Sequence, residues 1–126
     1  MTDGAPTSEP VIRVIAMPAD ANPYGDIFGG WLMSWMDSAA GSVASRHSGG
    51  RAVTIAMDGM QFLSPVFVGD ELSVYATLAK AGRTSMTIDV EAWRRHRDQT
   101  ERCKVTQAQF VFVAIDAERQ PRAIAQ

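Results

Sequence analysis

A single stretch of this chain, from Ile27 or Gly29 to about His47, repeats its apolar residues at helical spacing: Leu32, Met36, Ala39, Ala40 and Val43 fall three or four positions apart. Everything after it reads as extended. Ser48-Gly49-Gly50 stops the helix, and Arg51 to Met57, Met60 to Leu63, Glu71 to Ala81, Arg83 to Arg95 and Glu101 to Ile115 follow as strand-like runs broken by Gly, Pro or charged turns. Before the helix come a short β-rich run, Val11 to Ala16, and a Pro- and Gly-containing loop over 17–26 in which Asn22-Pro23-Tyr24-Gly25 suits a type I turn. One helix followed by consecutive strands argues against βαβ units, which need a helix for every parallel pair. Strands of about a dozen residues reach about 40 Å and a helix of about 18 residues about 27 Å, so a curved antiparallel sheet can wrap the helix lengthwise. The expectation is an α+β fold.

Two local patterns support that layering. In the fourth run, Met86, Ile88, Val90 and Ala92 alternate with Thr87, Asp89, Glu91 and Trp93, giving one dry face and one mostly wet face. The helix is crowded with Ser34, Ser38, Ala39, Ala40, Gly41, Ser42, Ala44 and Ser45, a composition of mediocre helix propensity that makes sense where a sheet presses closely on it.

The 126 residues suit one domain, read as 11–126, preceded by a polar, loose tail over 1–10 that lacks the basic start and apolar stretch of a signal peptide. A net charge of -2 removes the basic footprint of a nucleic-acid binder. The longest apolar run, Phe110 to Ile115, is far short of the roughly 20 residues that span a bilayer, so no membrane partner is expected. Cys103 is the lone cysteine, which excludes an internal disulfide and a Cys-rich metal site and fits a reducing cytoplasm. With only His47 and His96 besides, too few and too scattered, neither a metal site nor histidine chemistry is expected.

The chemistry is concentrated around the start of the helix. Gly29-Gly30 lets a ligand approach backbone with no Cβ in the way, and the free N–H groups of a helix N-terminus favour negative charge, which makes a candidate oxyanion site. A plain Gly-rich cap explains the same pair. Asp37 sits about two turns further on, with Met33, Ser34, Ala40 and Gly41 as its helical neighbours and no Lys or Arg for an ion pair. It reads either as a solvated helix-face carboxylate or as a general base or nucleophile. Asn22, Asp20 and Asp26 are each explained most simply as turn residues.

Taken in order, Asn22, Gly25 with Gly29-Gly30, and Met36-Asp37 resemble the hotdog acyl-CoA thioesterases of the YciA and brain acyl-CoA hydrolase kind, whose pattern is Asn, then Gly-x-x-x-Gly-Gly, then Met-Asp. The resemblance continues through Val53-Thr54-Ile55-Ala56, Met60-Gln61-Phe62, Pro65 to Asp70, Gly82-Arg83-Thr84-Ser85 and Phe110 to Ala114, covering about residues 11 to 124. It implies a hotdog fold and hydrolysis of acyl-CoA to a free acid and CoA, in fatty acid metabolism, with no cofactor because CoA is part of substrate and product. Asp37 would activate water or attack the thioester carbonyl, Asn22 would position water or carbonyl, and the Gly30 N–H, beside Gly29, would hold the oxyanion. The resemblance further implies a homodimer that draws Asn22 and Asp37 of one pocket from different subunits, and a trimer of dimers, a hexamer, above it.

Coenzyme A brings a polyanionic nucleotide, a narrow pantetheine arm and a variable acyl group. The resemblance assigns the pantetheine amides to the Val53, Thr54, Ile55 and Ala56 strand edge and the nucleotide phosphates to Arg83, Thr84 and Ser85, with Arg122 assisting. Gly82-Arg83-Thr84 is equally readable as a hairpin turn. Trp35 departs from the pattern, since relatives often carry Gln there; its indole would shorten the acyl tunnel or fill the dimer seam. A non-catalytic acyl-CoA binding module using the same pocket stands as the alternative function, and a hotdog hydratase as a third.

Overall fold

The structure is a computed structural model and describes residues 4–124. Its elements run β1 (Ile12–Ile15), a 3-10 turn at Pro18–Asp20, α1 (Gly29–Ser48), β2 (Ala52–Phe62), β3 (Glu71–Ala81), β4 (Ser85–Arg95) and β5 (Arg102–Ala114). All strand pairs are antiparallel and the sheet order is β1-β3-β4-β5-β2. Helix α1 packs on one face of that sheet, against β2, β3, β4 and β5. This is the hotdog architecture expected from the sequence.

The helix lies close because its inner side is small. Ala39, Ala40 and Ala44 are fully buried between Leu32 and Met36 on the helix and Leu72, Val74, Met86, Ile88 and Val105 on the strands. A Cβ on Gly41 would sit 3.5 Å from the Phe112 ring, an ordinary van der Waals distance, so the backbone there runs directly over the sheet. The chain leaves the helix through Gly49 at φ 72, a left-handed residue whose N–H closes on the Ser45 carbonyl at 2.9 Å. The alternation in β4 is observed: Met86, Ile88, Val90 and Ala92 are buried under the helix, while Asp89 is exposed on the outer face.

Three features depart from the sequence expectation. Met60–Leu63 is not a separate strand; β2 is one 11-residue strand that absorbs Gly59, at φ 66, through a register shift between Asp58 and Gln61. The run expected from Arg83 begins as β4 only at Ser85, because Gly82 to Thr84 form the turn. Of the expected loose tail, residues 1–3 lie outside the described residues, as do 125 and 126 of the expected domain, while Ala5 is buried against Tyr75 and Trp93 on the outer face of the sheet. That contact dries the one large apolar side chain, Trp93, on the otherwise wet face of β4.

Candidate active site

Asp37 and Thr54, expected from separate motifs, meet. Asp37 projects from the exposed side of α1, and the Thr54 hydroxyl on β2 donates to its Oδ1 at 2.6 Å, the short distance usual for a hydroxyl on an ionised carboxylate. The contact exists because α1 packs across the sheet from β3 to β2, which brings Asp37 to Thr54. Among the described residues the carboxylate is otherwise left exposed. β2 is itself an edge strand: its inner side pairs with β5, Val53 opposite Val113 and Thr54 opposite Phe112, and among the described residues no strand lies on its outer side. Between Thr54 and Ala56 the register shifts, so Ile55 has no partner on β5.

At the start of the helix, Phe28 occupies the N-cap and offers no side-chain oxygen, so no side chain caps the first turn of α1, where the Trp31 N–H bonds the Phe28 carbonyl at 3.1 Å. Gly30 is exposed, with nothing within 4 Å of where a Cβ would stand. Gly29 is tighter: a Cβ there would come within 3.2 Å of the Phe62 ring on β2, so a side chain at this position needs that ring to give way. Phe62, 54% exposed and expected only as part of the Met60-Gln61-Phe62 motif with no role assigned, thereby walls the helix start.

Asn22 stands in the entry loop, where its Oδ1 accepts from the N–H groups of Tyr24 at 2.9 Å and Asp26 at 3.1 Å. The expected turn is present, since Gly25 N–H reaches the Asn22 carbonyl at 3.0 Å. This fixes the carboxamide with its oxygen turned into the loop and leaves the NH2 group as the donor end.

Asp37 and Gly30 share a face but are seven residues apart, which along a helix is about 10.5 Å of rise. Trp35, two residues from Asp37, lies about 160° round the axis from it and packs against the core, so it does not wall the same-chain carboxylate. It meets Trp31 edge to face instead, with ring centroids 6.2 Å apart.

The remaining candidates gather at one end of the sheet. Ser85 and Val53 both lie opposite Val113, which puts them two strand spacings, about 10 Å, apart across β5. Arg83 and Thr84 form the adjoining turn, with Arg83 exposed and the Thr84 carbonyl accepting from Ala114. Arg122, expected to assist at the phosphates, also bonds within the fold. Its guanidinium donates to the carbonyls of Ile115, Ser48 and Arg51 and to the Ser48 hydroxyl at 2.9–3.3 Å, tying the helix C-terminus to the start of β2 and to the C-terminal segment. A cation at that pole also suits the helix dipole.

A concavity of about 740 Å³ opens on the opposite face of the sheet, lined by polar groups such as Ser8, Tyr75, Asp89, Glu91 and Gln109, and includes none of these residues. Among the described residues no group of three or more His, Cys, Asp or Glu is placed to hold a metal ion, and no helix is long and apolar enough to cross a membrane.

A helix laid on an antiparallel sheet with an acid and a glycine-opened helix start defines a hotdog protein. The family model described as Thioesterase superfamily matches residues 24–101, and the chain belongs to that family. An uncharacterised acyl-CoA thioester hydrolase of Zymomonas mobilis, ZMO0511, is 58% identical over 93% of this chain and 78% of that protein. The acyl-CoA thioester hydrolase YciA of Salmonella typhimurium is 45% identical over 97% of this chain and 94% of its own length. Among solved structures, the hexameric thioesterase y2039 of Yersinia pestis superposes with a TM-score of 0.92 at 45% identity, covering 97% of this chain and 99% of that one. HI0827, a hexameric broad specificity acyl-coenzyme A thioesterase solved as an aspartate-to-alanine mutant, gives 0.90 at 40% identity over 95% and 88%.

Proposed function

We propose that this chain hydrolyses acyl-CoA thioesters to the free carboxylic acid and CoA, with Asp37 as the working carboxylate and a site shared between two copies. The carrying observation is the pair of facts that Asp37 is held by Thr54 beside an unpaired strand edge and lies about two helical turns from its own helix start. A general base and an oxyanion donor that serve one carbonyl must both come within about 3 Å of the reacting atoms. A rise of about 10.5 Å is too long for that within one helix, whereas a second copy set antiparallel along β2 brings its own Gly30 and Asn22 to this Asp37.

In that arrangement the carbonyl oxygen lies on the Gly30 N–H of one copy, with the Asn22 NH2 group beside it. Asp37 of the other copy either removes a proton from water as its oxygen adds to the carbon, or adds to the carbon itself and is released by water. The C–S bond breaks, and the departing thiolate takes up the proton that water has lost, leaving as CoA. No cofactor is needed. The neighbours' names support this reading: HI0827 is a broad specificity acyl-coenzyme A thioesterase for which an aspartate was chosen for replacement, and y2039 is hexameric. We extend the dimer to a trimer of dimers on that likeness and place the reaction in the cytoplasm.

CoA follows the sheet end. The pantetheine amides take the Val53–Ala56 margin, where the bulge at Ile55 frees backbone groups, and the apolar stretch with Met57, Phe62 and Leu63 faces the partner. Arg83, Thr84 and Ser85 receive the nucleotide phosphates. The test is thiol release across short, medium, long and aromatic acyl-CoAs. Asp37→Ala is expected to assemble normally and lose at least about a hundredfold in turnover. CoA binding without thiol release from any substrate would make the chain a binding module instead.

A further inference from the structure

The loop that carries Asn22 is held from outside by a clamp that the proposed chemistry does not use. Asp70 is 3% exposed, and both its carboxylate oxygens are engaged: Oδ2 accepts from the Phe67 N–H at 3.0 Å, and Oδ1 lies 2.8 Å from Nδ1 of His96. The other ring nitrogen of His96, Nε2, lies 2.9 Å from Nη1 of Arg94. A guanidinium has donors only, so Nε2 accepts and the proton of the ring sits on Nδ1, where it is donated to Asp70. Arg94 also gives its Nε–H to the Pro65 carbonyl at 2.8 Å, and the Phe67 ring stacks on His96 with centroids 6.1 Å apart at 25°. The segment from Pro65 to Asp70 is therefore gripped by its backbone at Pro65 and Phe67, by the Phe67 ring and by the Asp70 side chain.

That segment in turn carries the entry loop. Ile27 N–H donates to the Val66 carbonyl at 3.0 Å, and Asp26 forms an antiparallel bridge with Phe67. Asn22 lies just before this attachment and Gly29 just after it. The Asn22 Oδ1 itself accepts from the Asp26 N–H, so a shift of Asp26 moves the carboxamide directly.

We infer that His96 is a positioning residue for hydrolysis: as the Nδ1–H tautomer between Asp70 and Arg94 it fixes the Pro65–Asp70 segment, and through it the loop that presents Asn22. The inference rests on the role proposed above for Asn22. The ring touches no reacting atom, and its effect passes through two backbone contacts.

The test uses the assembled protein with His96→Phe, which keeps a stacking ring but removes both hydrogen bonds, and His96→Asn, which returns a donor toward Asp70. Amide hydrogen exchange in the Phe variant should quicken in both 65–70 and 22–28, kcat should fall roughly fivefold or more, and KM should change by less than about twofold. His96→Asn should recover part of both. In an Asn22→Ala background, replacing His96 should cost nothing further, because the two act through one group. Unchanged exchange in 22–28, or losses that multiply across the two sites, would overturn the inference. If Asn22→Ala alone leaves turnover intact, it is the role of Asn22 that falls, and the exchange result still decides whether His96 positions the loop. Should the Phe variant not assemble, the Asn variant supplies the same exchange and coupling readings.

Discussion

Thr54→Val is the sharpest probe of the carboxylate, because it is nearly isosteric and removes one atom pair, the 2.6 Å contact from the Thr54 hydroxyl to Asp37 Oδ1. Hydrogen bonds to charged groups contribute about 1.5–3 kcal/mol, but this one is exposed in the protomer, which argues for the low end, near 1.5 kcal/mol. At about 1.4 kcal/mol per decade of rate, turnover should fall by roughly tenfold. Folding should hardly notice, since Thr54 lies on an exposed stretch of an edge strand. The assay is steady-state thiol release with kcat and KM resolved separately, beside a melting curve for each variant. The account expects the loss in kcat, an unchanged melting point, and recovery by Thr54→Ser, which restores the hydroxyl. A Val variant with full kcat would show that the Thr54 contact does not orient the working carboxylate.

Two glycines of α1 should respond in opposite directions. Gly29→Ala forces a methyl against Phe62 at 3.2 Å and should lower both stability and turnover, whereas Gly41→Ala meets Phe112 at an ordinary 3.5 Å and should gain about 0.5–1 kcal/mol from helix propensity, seen as a rise of a few degrees in melting point. Arginines separate likewise: Arg83→Ala should raise KM for acyl-CoA with stability unchanged, while Arg122→Ala should lower the melting point and leave KM alone, checked by the same two measurements. Met36→Ala, at a fully buried helix position, should cost about 2–5 kcal/mol in denaturant unfolding.

The fold was legible in the sequence where burial writes a period: Leu32 and Met36 at helical spacing, and Met86, Ile88, Val90 and Ala92 in alternation, each mark a face that the structure buries. The boundaries were less so. Gly59 reads as a break, yet a bulge lets the ladder to β5 run on past it, and whether a glycine bends or ends a strand is decided by the neighbouring strand. Asp37 stood out because a helix-interior Asp with no ionic neighbour is a poor local choice, whereas Asn22 and Gly30, explicable as turn and cap residues, gained their roles only from the ordered motif. Thr54 emerged only through its motif, and its bond to Asp37 depends on how the helix crosses the sheet. Arg122 and His96 show the converse. A guanidinium reads alike in sequence whether it meets a phosphate or the carbonyls of Ser48 and Arg51, and a single His gives no hint that Asp70, 26 residues earlier, will fold beside it.

Whether two copies build one site can be measured by mixing defects. Asp37→Ala and Asn22→Ala chains, each nearly inactive alone, are co-expressed so that dimers form at random. A mixed dimer then has one site with both residues intact and one with neither, so with about half the dimers mixed, turnover should return to about one quarter of the unmodified protein. Activity no higher than the average of the two parents would mean that Asp37 works with the Asn22 of its own chain, and the shared site would be wrong.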